Sequence, residues 1–178
     1  MSSIICGIDV GAKGAAAILK DGQYLAHFIF NDSKGNFKLL EYIKFLLKYR
    51  KVITHVYIED PASIFGASAK SNFNFGFNKG IQTGVIAAYK LRYTMIQAKA
   101  WQKVSWLGIK KITNKVKGKS KGKVVMKDKV DTKATSLVAC NRLFPKVNLL
   151  ATTRSKKPHD GLVDALLIAY YGHKTGDK

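Results

Sequence analysis

The chain has 178 residues, 47% of them hydrophobic, which suits one globular domain with a real core and excludes a disordered chain. Lysine and arginine number 31 against 11 aspartate and glutamate, giving a net charge of +20 and a pI near 10.0. That balance points to a polyanionic partner, most simply nucleic acid, and the lack of a long apolar span or a basic amphipathic anchor argues against a membrane.

The first apolar stretch, Ile4-Ile5-Cys6-Gly7-Ile8-Asp9-Val10-Gly11, reads as a buried strand with one carboxylate in it. A buried, unpaired carboxylate is costly, so Asp9 calls for a partner or a metal ion. The plainer reading is an acid turning out of a strand end. Gly7 and Gly11 indicate close backbone approach or a bend. No charged n-region or cleavage site is present, and the stretch is too short for a signal peptide. A cytoplasmic, non-secreted protein is therefore expected. Cys6 and Cys140 lie in apolar contexts and read as core thiols of a reducing compartment.

Gly11 to Gly14 is a turn, Ala15 to Lys20 a second strand, Asp21-Gly22 a hairpin signal and Gln23 to Phe30 a third strand. After a polar loop from Asn31 to Asn36, Phe37 to Tyr49 has the spacing of an amphipathic helix. Val52 to Ile58 is a strand that ends in Glu59-Asp60-Pro61. Ala62 to Asn78 has no clean period and reads as a loop entering a helix, Gly80 to Tyr89. Arg92 to Gln97 is a fifth strand and Lys99 to Trp106 a short helix. Gly108 to Lys133 holds ten lysines and reads as an insertion loop or a basic hairpin. A helix from Lys133 stops before Pro145, a basic loop runs from Ala151 to Pro158, and the last helix, Asp160 to Tyr171, ends near Gly172. This order suits a mixed sheet with helices on both faces.

Acids are scarce, so their positions carry information. Glu59 closes an apolar strand. Asp160 and Asp164 stand four apart on one helix face, where like charges repel. Asp9, Glu59, Asp160 and Asp164 together form a candidate oxygen-ligand set for hard divalent ions. Two such ions about 4 Å apart can activate a water and stabilise the leaving oxygen of a phosphodiester. Ordinary capping acids are the alternative, with Asp160 an N-cap in particular.

Three segments, Gly7-Ile8-Asp9-Val10-Gly11, Ile58-Glu59-Asp60-Pro61 and His159-Asp160-Gly161-Leu162-Val163-Asp164-Ala165-Leu166-Leu167-Ile168-Ala169-Tyr170, taken in order resemble the RuvC family of Holliday junction resolvases. Gln97-Ala98-Lys99-Ala100-Trp101-Gln102-Lys103 and Arg142-Leu143-Phe144-Pro145 add to the likeness, which is closest to phage and plastid members. It spans nearly the whole chain except a lysine-rich insertion at about 109–130. It implies a single RNase H-like α/β domain over 1–178, with a five-stranded mixed sheet flanked by helices. It also implies a homodimer and two Mg2+ (or Mn2+) ions per active site. Asp9 is then the central ligand, Glu59 the second, and Asp160 and Asp164 the last pair. That pair is spaced by four here, where the bacterial pattern often has three, so Asp160 stays open between ligand and cap. His159 is either a substitute ligand or a loop residue beside a cap, and Asp60 is a turn acid.

The implied activity is a crossover junction endodeoxyribonuclease that makes paired nicks in opposing strands of a four-way junction. Lys110, Lys111, Lys117, Lys119, Lys121 and Lys123 are candidate phosphate contacts, as are Arg154, Lys156 and Lys157 before the last helix. Lys99 and Lys103 are weaker candidates. Phe65, Phe73, Phe75 and Phe77 read either as a strand with a buried face or as wedges at the crossover, Phe65 and Phe73 first. Trp101 and Trp106 read as core. The small-residue helix Gly80 to Tyr89 is the expected dimer face. Three other readings remain: a broader flap or Y-fork nuclease, a catalytically dead RNase H-like binding module, and a nucleotide-binding protein of the actin and sugar-kinase superfamily. The last needs two lobes, more than this length holds, so no nucleotide cofactor is expected.

Overall fold

A computed structural model describes residues 2–60, 68–120 and 123–176, without the side chains at 118–120 and 123–125. Five strands form one mixed sheet in the order β3-β2-β1-β4-β5. They are β1 (Ile4–Asp9), β2 (Ala15–Lys20), β3 (Gln23–Ile29), β4 (His55–Glu59) and β5 (Tyr93–Ile96). The first three form an antiparallel meander, and β1 pairs parallel with β4, as β4 does with β5. Asp21 and Gly22 both have positive φ, the geometry that a two-residue hairpin requires. The expected five-stranded mixed sheet flanked by helices is what the chain forms.

Side chains alternate across the sheet. Ile4, Cys6, Ile8 and Val10 face α1 (Leu39–Tyr49) and α2 (Ala69–Ala88) in one core with Tyr42, Leu46 and Ile86. Ile5 faces the other core, formed with α3 (Ala98–Ser105), α4 (Thr132–Leu143) and α5 (Asp160–Thr175). Asp9 has the parity of Ile5, and Glu59 that of Tyr57, which lies in the same core. Both acids therefore emerge on the α5 side. Burial raises the Cys6 and Cys140 thiols to about 12, which makes them inert core residues.

Helix α5 lies directly on β1. A Cβ at Gly7 would meet the Ala165 carbonyl oxygen and the Ala169 amide nitrogen, which are backbone atoms that cannot turn aside. Ala15 and Ala17 on β2, both fully buried, keep the neighbouring surface low enough for the same helix.

Two expectations need correction, and one pair of alternatives is decided. Residues 69–78 are helix, since α2 starts at Ala69 with Ser68 as its N-cap. The alternation of Phe with Asn and Gly imitates a strand, but Phe73 and Phe77 are four apart and stack on one helix face, with centroids 6.1 Å apart. The last helix runs past Gly172 to Thr175, because Gly172 is buried and makes room for the Tyr57 ring. The lysine-rich insertion is a hairpin of β6 (Thr113–Ser120) and β7 (Lys123–Val130), paired antiparallel apart from the main sheet. Among the described residues no helix is long and apolar enough to cross a membrane.

Gly7→Ala is expected to lower the unfolding free energy by about 1–3 kcal/mol or more, since the overpacking is against backbone. Urea denaturation checks this, and an unchanged midpoint would show that α5 does not rest on β1.

Candidate active site

Three acids meet at the end of the central strands. Asp9 closes β1 and is buried, and its Oδ1 accepts the Gly11 N–H at 2.9 Å. Glu59 closes β4 beside it, in a ladder that pairs Ile8 with Ile58. The Trp101 indole Nε1 donates to Glu59 Oε1 at 3.2 Å. Asp164, one turn into α5, accepts a hydrogen bond from Ser136 of α4. A Cβ at Gly161 would meet the Lys13 carbonyl oxygen and stand 2.9 Å from Asp9 Oδ2, so only glycine lets the start of α5 come this close.

Burial raises all three acids. Asp9 sits well above the usual carboxylate range because of burial, then the charges of Glu59 and Asp164. Glu59 is raised by burial against the Trp101 hydrogen bond. Asp164 is raised to about 7 by burial and by Glu59, with Asp160 adding to the shift and Ser136 and Lys133 opposing it. Glu59 raises the Asp9 carboxyl both through its charge and through its side-chain proximity.

Asp160 stands apart from this trio. It lies in the first turn of α5 with its side chain 47% exposed and pairs with Lys133 Nζ at 2.5 Å. It is not the N-cap, since that role belongs to His159, whose Nδ1 accepts the Leu162 N–H at 3.1 Å. His159 is thus half-buried and used by the helix, not an exposed loop residue beside a cap. Asp60 is ion-paired with Lys79 of α2.

A cleft of about 650 Å³ opens next to Asp164, lined by Lys13, Asp131, Lys133, Ala134, Leu137, Lys157, Pro158, Asp160 and Val163 as well. Of the expected phosphate contacts, Lys157 lies on this cleft. Arg154 and Lys156 are exposed on the loop before α5 but do not line it. Lys110 and Lys111 are exposed before the hairpin and Lys117 is exposed on β6. Phe65 and Lys121 lie outside the described residues, as do the side chains of Lys119 and Lys123. Phe73 is 71% exposed on α2, on a helix and not in the expected loop or strand. Trp101 and Trp106 are core, as expected.

The sequence reading missed four residues. Lys13 and Lys133 line the cleft, and nothing in sequence separates them from the other basic residues. Trp101 and Ser136 hold acids through single hydrogen bonds that only tertiary packing creates.

The donor set is all carboxylate oxygen, which suits a hard cation such as Mg2+. Among the described residues no group of three or more His, Cys, Asp or Glu side chains could hold a metal ion as it stands. The two facts agree physically. Without a cation, protons relieve the repulsion of Asp9, Glu59 and Asp164, and Mg2+ in any case uses few carboxylates and keeps waters. The residues fit such an ion at the Asp9–Glu59 pair, with Asp164 beside it.

No protein-family model matches the chain, and no curated protein does. Among solved structures, Thermus thermophilus RuvC in complex with a Holliday junction substrate is similar over 98% of this chain and 96% of that one. The TM-score is 0.59 at 12% identity. A second Thermus thermophilus RuvC structure matches over 97% and 96%, with a TM-score of 0.58, also at 12% identity. The fold is RuvC-like. Within this RuvC-like, RNase H-like architecture, the central strand ends and the last helix bring the acids together.

The raised Asp164 carboxyl makes the folded chain bind more protons than the unfolded one between the ordinary 3.8 and about 7. Its contribution to stability is therefore greatest below the ordinary value and declines as pH rises through about 7. Between about pH 4 and about pH 8 the metal-free wild type should lose thermal stability relative to Asp164→Asn, and Mg2+ should restore it at the upper end. Parallel melting curves for the two proteins would contradict the raised Asp164 carboxyl.

Proposed function

We propose that this chain is a divalent-metal-dependent, structure-selective DNA endonuclease that resolves four-way junctions by paired nicks on opposing strands. The observation that carries this reading is the convergence of buried Asp9, Glu59 and Asp164 beside a cleft lined by Lys13, Lys133 and Lys157. The RuvC-like fold, seen in a protein solved with a Holliday junction, supports it.

Asp9, Glu59 and Asp164 would hold Mg2+ or Mn2+, two ions by family likeness, and Asp160 would join by giving up Lys133. When bound, the metal supplies a water acidic enough to attack at neutral pH and a Lewis-acid contact for the phosphodiester. The chain's own part is positioning. Trp101 fixes the Glu59 carboxylate and Ser136 that of Asp164, so the acids meet their charge partner without rearranging. Lys13, Lys133 and Lys157 hold the substrate phosphates and offset charge at the cleft. Lys110, Lys111, Arg154 and Lys156 extend the phosphate contacts outward.

A four-way junction has two equivalent strands to cut, and a two-fold dimer offers two equal sites. Helix α2 provides the face for a second copy. Phe73, Phe77, Gly80 and Gly84 share one side of it, the two rings are 71% and 54% exposed, and a Cβ at Gly80 or Gly84 would meet nothing within 4 Å. The glycine half suits a second α2, and the Phe73 and Phe77 rings suit unstacked bases at the crossover.

Asp9→Asn should fold and bind a synthetic four-way junction yet lose Mg2+-dependent cleavage. The loss should exceed the roughly 10–100-fold that removal of an outer partner such as the Trp101 indole costs. Wild-type protein that cuts no branched DNA with Mg2+ or Mn2+ would defeat the reading. A panel with flaps and Y-forks separates junction resolution from broader cleavage. Gly84→Gln should shift the mass measured by light scattering from dimer to monomer, and an unchanged dimer would move the interface elsewhere.

A further inference from the structure

The β6–β7 ribbon projects both of its faces into solvent. Residues 113–117 and 126–129 are all exposed. Eight residues per strand give a ribbon roughly 24–27 Å long. Its register sets the pattern of charge. Lys115 and Lys117 pair with Asp128 and Met126 and therefore share one face. Lys127 and Lys129 pair with Val116 and Asn114 and share the opposite face. Each strand thus carries a lysine row, and the rows point away from each other. Within a row the side chains are about 7 Å apart, two residues of rise; Asp128, opposite Lys115, offsets part of the first row, while Val116 and Asn114, opposite Lys127 and Lys129, leave the second row's repulsion to be relieved by anions that lie against it.

The base of the ribbon is tied to the cleft. The Asp131 N–H donates to the Ile112 carbonyl oxygen at 2.8 Å, and the Ile112 N–H to Thr135 Oγ1 at 3.1 Å. Asn114 Nδ2 donates to Asp131 Oδ2 at 3.0 Å, while Asp131 Oδ1 caps α4 through the Ala134 N–H. Ile109 and Val130 pack on the core. The ribbon therefore leaves from the first turn of α4, which also carries Lys133 and lines the cleft.

We propose that this ribbon is a sequence-neutral grip on duplex DNA, entering the major groove of an arm beside the cleft with one lysine row toward each phosphate wall. The inference rests on the DNA-cleaving reading above and specifies how an arm is held. The major groove, about 12 Å wide, admits a two-stranded β-ribbon. Residues 108–133 contain no Arg, Gln or Glu, and the Asn114 amide is engaged by Asp131, so the guanidinium and free amide forks that read base edges most selectively are absent. Lysine supplies point charge for phosphates, which positions DNA without selecting sequence.

The test is DNA binding without metal, on a labelled linear duplex and a labelled four-way junction, from about 50 to about 200 mM salt. Lys115→Gln with Lys117→Gln, and separately Lys127→Gln with Lys129→Gln, should each reduce the slope of log K against log salt by about 1.8. All four together should reduce it by about 3.6, with unchanged melting temperatures, as these side chains are exposed. A duplex whose major groove is filled by glucosylated 5-hydroxymethylcytosine should lose the ribbon's contribution. An effect from one pair only would overturn the two-sided grip, and full binding to the glucosylated duplex would overturn groove entry. Unchanged slopes with self-associating variants would mean that the lysines only keep the open strand edges from pairing, and that also overturns the proposal. Junction cleavage with unchanged slopes would defeat the ribbon and leave the nuclease. Slopes that fall as expected in a protein that cuts nothing would do the reverse.

Discussion

Helix α5 rests on strand β1 with no room for a methyl group at Gly7, and the arrangement of the site depends on that contact. A helix one side chain further out would carry Asp164 away from Asp9 and Glu59. The approach needs more than Gly7. Ala15 and Ala17 lower the neighbouring strand, and Gly161 lets the first turn of α5 pass beside the Asp9 carboxyl. Each of these residues is small for the same reason. They sit where a helix axis is set by backbone contact and not by interdigitating side chains.

The second organising feature is a separation of charge. The chain is strongly basic, yet its most buried ionisable cluster is acidic. Asp9, Glu59 and Asp164 are held among apolar residues, where each disfavours ionisation of the others. Such a cluster weakens the folded state when no cation or proton compensates it. Its neighbours are chosen to orient and not to neutralise: Trp101 and Ser136 donate single hydrogen bonds, while the lysines stay on the cleft wall. Lys133 is the link between the two regions, since it pairs with the outermost acid, Asp160, and shares its helical turn with the cap that roots the ribbon.

Helix α2 buries few of its residues, and the ribbon none among its described side chains. Only Gln82 and Ile86 of α2 are buried, and its opposite side carries exposed Phe73 and Phe77 with glycines. The ribbon is exposed on both faces over its described side chains. A two-stranded hairpin alone is marginal in water, so its anchorage at Ile112, Asp131 and Thr135 is what orients it.

The main sheet was legible in the sequence because its signals are local. Alternating apolar runs, the Asp21-Gly22 turn and the stop after Glu59 each act over a few residues. The first half of helix α2 was hidden because its sequence lacks an apolar stripe, and its residues 73–77 alternate in a way that also fits a strand. Asp9, Glu59 and Asp164 stood out as acids in apolar surroundings. Which of the four candidate acids meet was not legible. Asp160 and Asp164 are one turn apart, yet one faces Lys133 at the surface and the other faces Glu59 inside. The chain by itself determined the strands, the acids and the excess of lysine. Only the tertiary structure decided that Asp164 joins Asp9 and Glu59, that His159 caps α5, that Lys13 and Lys133 line the cleft, and that Trp101 and Ser136 bond to the acids. Those outcomes depend on how closely α5 lies on β1 and how α4 lies beside it, and distances between elements far apart in sequence are set by packing.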